Sequence, residues 1–145
     1  IAADTLDGIV LDDATAEHVG FDGVSASVGP FIGIGYRHDG DTAKGQQSVT
    51  FRVQIPAAGD YTVLLAWSPH SNRATNVPVT VQHAGGKTTV RVNQRMTPDR
   101  SPFGVVGTYD FEAGETTVTI TNDETDGYVL VDALQLLPSD DPTHD

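Results

Sequence analysis

The sequence predicts an all-β domain, an antiparallel β-sandwich with a jelly-roll-like strand arrangement. Three observations predict it. Helical periodicity is almost absent. Short runs rich in Val, Thr, Ile and Tyr alternate apolar with polar side chains. Clusters of Gly, Pro and Asp divide those runs. Many short strands closely spaced by turns are the pattern of two stacked sheets.

In chain order, the alternating runs place strands at residues 8–12, 47–55, 61–67, 77–83, 87–93, 105–111, 116–122 and 128–137. Turn residues separate them: Pro56-Ala57-Ala58-Gly59-Asp60, Ala84-Gly85-Gly86, Glu112-Ala113-Gly114-Glu115 and Asp126-Gly127. The Gly85-Gly86 pair predicts a tight hairpin, since primed turns need positive φ. Residues 15–45, with eight glycines and prolines among them, read as long loops crossing one end of the sandwich with one or two short strands. In the run 61–67, Tyr61, Val63, Leu65 and Trp67 share one face. That places Trp67 on the inward side. In the run 128–137, Leu130, Asp132, Leu134 and Leu136 share a face, so Asp132 is expected to point inward with three leucines. A buried carboxylate is tolerated only if it is paired or bound to a metal.

The 145 residues are 38% hydrophobic and 19% charged, a globular composition for a single domain over residues 1–138, with 139–145 a polar linker or tail. The opening Ile1-Ala2-Ala3-Asp4 has neither the basic nor the apolar part of a signal peptide and reads as a piece cut from something larger. The absence of cysteine excludes disulfides, thiolate metal sites and cysteine nucleophiles. A net charge of −12 argues against nucleic acid and anionic membranes as partners, and no apolar run has the length of a membrane span. The charge is uneven. Between His70 and Arg100 stand Arg73, Lys87, Arg91, Arg95 and Arg100 against the single acid Asp99. This basic segment is either a set of solvated strand faces or a patch that meets an acidic polymer such as a uronate-bearing glycan. The histidines lack zinc spacing, and no Walker loop, His-Glu-x-x-His or Gly-x-Ser-x-Gly occurs, so the chain is not expected to be an enzyme.

The stretch Ser71-Asn72-Arg73-Ala74-Thr75-Asn76, followed at fixed spacing by His83-Ala84-Gly85-Gly86, resembles the golvesin C-terminal and xanthan-lyase carbohydrate-binding-like domain family. Val106-Gly107-Thr108-Tyr109-Asp110-Phe111, the strand ending Asn122-Asp123 and the last strand with Val131-Asp132-Ala133 extend the resemblance over nearly the whole chain. It departs where members often carry aromatic residues on both sides of the strand end near Trp67. Here Ser68-Pro69-His70 follow. The resemblance implies a β-sandwich accessory domain of secreted or cell-surface bacterial proteins with a glycan-binding role. It also implies a neighbouring catalytic domain in a longer chain as partner.

Sugar recognition combines an aromatic face for the apolar C–H groups with fixed polar groups for the hydroxyls. For the first role the candidates are Tyr36, Trp67, Phe103 and Tyr128. Tyr36 follows Gly35 in the loop-rich region and is expected to be exposed. For the second role they are His70, Asn72, Arg73, Asn76, Arg95 and Arg100. Arg73, the arginine of the shared hexapeptide, and Asp132, the inward acid of the last strand, are expected to pair as structural partners. Asn72, Thr75 and Asn76 would then cap loop backbone. No cofactor is required, although a structural calcium between the first and last strands, on Asp12, Asp13 and Asp132, would be another way to satisfy these acids. The alternative function is a structural spacer or docking domain packed on a neighbouring catalytic domain.

Overall fold

The computed structural model describes residues 8–12, 16–21, 23–25, 36–40, 42, 45–67, 69–98 and 103–138. Asp13, Asp41, Arg100 and the tail 139–145 lie outside them, as do the side chains of Asp12, Val24 and Ser25. Twelve strands are found there: β1 (Ile9–Asp12), β2 (Glu17–Val19), β3 (Gly23–Ser25), β4 (Tyr36–His38), β5 (Ser48–Ile55), β6 (Gly59–Ala66), β7 (Val77–His83), β8 (Gly86–Val92), β9 (Phe103–Phe111), β10 (Gly114–Thr121), β11 (Leu130–Val131) and β12 (Ala133–Pro138). All strand pairs are antiparallel. A four-stranded sheet runs β1-β12-β6-β9, a five-stranded sheet β2-β5-β10-β7-β8, and a small third sheet β11-β4-β3.

Period-two alternation builds the sandwich. Val49, Phe51, Val53 and Ile55 of β5, with Val79 and Val81 of β7 and Val118 and Ile120 of β10, bury one face of the larger sheet. Val63 and Leu65 of β6, with Leu134 and Leu136 of β12, meet them from the other. The residues between them, such as Thr50, Thr80 and Thr119, stay partly exposed on the outer face, where Thr80 and Thr89 hydroxyls lie 2.8 Å apart. Leu64, Ala66, Phe103 and Ala133 form a second buried cluster on the opposite face of the four-stranded sheet. No helix among the described residues is long and apolar enough to cross a membrane.

Two local expectations are corrected. The final run is not one strand: it breaks at Asp132, with β11 pairing β4 and β12 pairing both β1 and β6. Asp132, fully buried, sits at the point where the chain passes from the small sheet into the four-stranded one. The β7–β8 hairpin is tight, but its turn residues are Ala84 and Gly85, and the positive φ falls on Gly86 at 126°, where strand β8 begins.

The strand directions give the sandwich two poles. Ala66 pairs with Ala133 and Asp12 pairs with the same residue, so the loops after β6, β8 and β10 gather at one pole. Gly59 pairs with Phe111 and His83 with Gly86, which puts the turns 56–58, 84–85 and 112–113 at the other. The candidate site lies on the first pole.

Candidate functional site

Three loops are bound into one surface by backbone hydrogen bonds. Residues 71–76 and 122–128 approach as if to continue a sheet: Tyr128 N donates to Asn72 O (2.9 Å) and Ala74 N to Tyr128 O (2.8 Å). A Cβ on Gly127 would stand 2.7 Å from Asn72 O, so the approach requires glycine there. Asp126 accepts from both Thr75 N (2.7 Å) and Thr75 Oγ1 (2.6 Å). Those two bonds, more than the more distant Arg95, hold its carboxyl below the ordinary aspartate range. The third loop, 93–98, is fixed through Gln94. Its backbone N donates to Ala74 O (2.9 Å), while its fully buried side chain exchanges two bonds with Leu130, Nε2 to O at 2.9 Å and N to Oε1 at 2.8 Å.

Against this frame the sequence-predicted residues divide. Asn76 belongs to the frame: Nδ2 donates to Glu124 O (2.9 Å), Oδ1 accepts from Asp126 N (3.2 Å), and its carbonyl accepts from Arg91 Nη1 (3.1 Å). Tyr36 is not exposed as expected but 2% accessible, because β4 lies between β3 and β11 and turns the ring into the core. Arg73, 4% accessible, lies over that ring with Cζ 5.8 Å from its centroid, and Nη1 donates to Asn72 Oδ1 at 2.6 Å. Burial lowers the Arg73 pKa from the ordinary arginine value, and the Tyr36 hydroxyl opposes the shift. The contacts described for Arg73 include Asn72 and the Tyr36 ring, and a cation stacked on an aromatic face is partly compensated by it. Trp67 is 5% accessible on the inner face with Val63 and Leu65, its Nε1 donating to Met96 O at 2.9 Å. Phe103 is buried as well.

What remains on the surface is His70, Asn72 and Arg95, with Tyr128 half-buried. His38 meets the Tyr128 ring edge-on at 5.7 Å. Arg95 has a particular geometry. Its backbone N donates to Asn93 Oδ1 (3.0 Å) and its Nε to Arg73 O (2.6 Å). Arg95 is exposed, and Nη1 and Nη2 make no hydrogen bond among the described residues. A planar fork held by its inner nitrogen is set to accept a carboxylate. Lys87 and Arg91 lie on the edge strand β8, with Arg91 bonded to the Asn76 carbonyl. Sequence reasoning singled out Arg95 but not Met96 beside it, which is 64% accessible. A methionine in a polar loop, outside any alternating run, was the available signal.

Two concavities lie away from this surface. A cleft of about 140 Å³ sits at the opposite pole between His83 and Glu112, and one of about 480 Å³ borders Gly20, Asp39 and Gln47. Two of the second's polar residues are tied up within the fold: Gln47 Nε2 donates to Asp39 O (3.0 Å), and Asp39 Oδ2 accepts from Asn122 Nδ2 (3.0 Å). The loop surface, by contrast, carries the exposed Arg95. Among the described residues, no group of three or more His, Asp or Glu side chains converges as a metal site would require. Asp12 pairs with Ala133, beside Asp132.

A model of the Golvesin C-terminal domain matches residues 9–138. The chain belongs to the Golvesin C-terminal domain family. This golvesin-type domain is 45% identical over 112 residues to a xanthan lyase of Bacillus sp. (strain GL1), covering 72% of the chain and 12% of that protein. It superposes on the structure of a Paenibacillus xanthan lyase with a TM-score of 0.83 and 40% identity, over 89% of this chain and 13% of that one. The domain thus spans about an eighth of the lyases it matches. A family 35 carbohydrate binding module from Clostridium thermocellum shares the fold alone, with a TM-score of 0.63 and 12% identity over 92% of this chain and 100% of that one.

Proposed function

We propose that this golvesin-type domain is a non-catalytic carbohydrate-binding accessory module of a secreted or surface protein, holding a neighbouring catalytic domain on an acidic polysaccharide. The observation that carries the reading is Arg95: an exposed arginine whose Nε is committed to Arg73 O at 2.6 Å while Nη1 and Nη2 make no hydrogen bond among the described residues. Asn72 and His70 stand beside it as exposed polar groups for sugar hydroxyls. Its similarity to part of two xanthan lyases, and the shared fold with a carbohydrate binding module, support the same reading. Targeting needs no chemistry from the domain itself, because tethering an enzyme to its polymer raises the effective substrate concentration.

The test is titration calorimetry with xanthan, polyglucuronate oligosaccharides and their carboxyl-reduced counterparts. The acidic forms should bind and the reduced forms should bind at least about tenfold more weakly. Arg95→Ala should lose about the same factor on the acidic forms only. Equal affinity of Arg95→Ala and wild type for polyglucuronate would count against the assignment.

A further inference from the structure

Among the described residues, the surface that Arg95 dominates presents no fully exposed aromatic plate on which a sugar could rest. Trp67, Tyr36 and Phe103 are 5%, 2% and 3% accessible, and Tyr128 packs against the core and His38. Large apolar side chains that do reach solvent are Val19 on β2, Val105 on β9 and Met96, the last at 64%. Met96 alone of these lies in the loop that carries Arg95, as its next residue.

The loop under Met96 is braced. Met96 O accepts from Trp67 Nε1 at 2.9 Å, Met96 N donates to Asn93 O at 3.4 Å, and Gln94 and Arg95 are each tied to the 71–76 loop through Ala74 O and Arg73 O. The backbone therefore cannot fold the side chain inward without breaking contacts to a buried tryptophan. A rigid loop presents a flexible, polarisable, apolar side chain one residue from a fixed cation. Such a thioether adapts its shape to a ring face, which a Val or Ile could not do.

Resting on the glycan-binding reading above, we propose that Met96 is the apolar platform of the site. The sugar's C–H face lies on the Met96 thioether while its carboxylate is held by Arg95, so the ligand class is a uronic-acid residue read on two sides at once. Loss of either half weakens binding, and loss of Met96 weakens it whether or not the sugar is charged.

The experiment compares wild type, Met96→Gln, Met96→Leu, Val19→Gln and Arg95→Ala by calorimetry against polyglucuronate oligosaccharides. Trp67 fluorescence and thermal unfolding report folding in each. Met96→Gln keeps the length of the side chain and adds an amide; it should bind about fivefold to tenfold more weakly. Met96→Leu should stay within about twofold of wild type. Val19→Gln should match wild type. As an arm that uses no variant, hydrogen peroxide transfers one oxygen atom to the sulfur of the chain's single methionine, giving the sulfoxide and water. The oxidised protein should lose binding as Met96→Gln does. If Arg95→Ala loses binding and Met96→Gln and the sulfoxide do not, the platform is wrong and the glycan reading stands. If wild type binds none of the acidic glycans, the reading falls and the platform with it.

Discussion

At the scale of single residues, Gln94 shows what the loops cost and why they hold. Its amide replaces a strand partner for Leu130, accepting from the N–H and donating to the C=O inside the core. Truncation would leave two buried backbone groups without partners, and each such group costs roughly 1–3 kcal/mol. Gln94→Ala is accordingly expected to destabilise the domain by about 2–4 kcal/mol in urea unfolding, with Leu130 amide exchange accelerated in step. A substitution on the exposed part of the same loop, Thr97→Ala, should change stability by less than about 0.5 kcal/mol. Nothing in the sequence marks Gln94, because a Gln in a turn reads as solvated. Its role depends on Leu130, 36 residues away, coming alongside. The same holds for Arg73. Its place in the shared hexapeptide points to a framework role, but its contact with the Tyr36 ring involves the short strand β4, whose course the sequence does not specify.

At the scale of elements, legibility followed the burial pattern. Strand β7 falls on the residues that alternation marks, because Val77, Val79 and Val81 are core and Thr80 is not. Period two was also enough to put Trp67 inside. The pattern could not see the break at Asp132, since the alternation of residue types carries no sign of a change in hydrogen-bonding partners. The three short strands β2, β3 and β4 carry too few residues to display a period. Tyr36 was misjudged there for that reason. The small sheet β11-β4-β3 has its own sensitivity. His38 Nδ1 accepts from Gly40 N at 3.1 Å, and its ring crowds Gly23, where no side chain would fit. Burial, with help from Arg73 and against the pull of Asp39, lowers the His38 pKa below 6.5. The unfolded chain then takes up the proton first, so stability is full above the unfolded value and is lost as pH falls from there toward the folded one. Thermal unfolding between about pH 8 and pH 5 should show a falling melting temperature below about pH 6.5, and His38→Gln should flatten that part of the curve. A melting temperature that drops equally in His38→Gln would assign the effect to other groups.

At the scale of the whole molecule, two features set how the site meets a polymer. Ile9 pairs with Leu136, so the first and last strands of the sandwich begin and end at the pole opposite the Arg95 loop. The second feature is charge. The chain carries a net −12, yet its exposed anchor is a cation, so a polyanion approaching Arg95 is attracted at a few ångströms and repelled at long range. Salt acts unequally on the two. The Debye length falls from about 30 Å at 0.01 M to about 10 Å at 0.1 M, which removes most of the repulsion between molecule and polymer but little of a direct guanidinium–carboxylate contact. Affinity for polyglucuronate is therefore expected to rise, by about twofold or more, as sodium chloride goes from about 0.01 M to 0.1 M, the reverse of what a basic patch gives. Calorimetry over that range decides it. In Arg95→Ala the residual binding should rise with salt at least as steeply, because repulsion is then the larger remaining electrostatic force. A steady fall in wild-type affinity over the same range would mean that the polymer meets a broader basic surface than Arg95 alone, with Lys87 and Arg91 on β8 the nearest source of it.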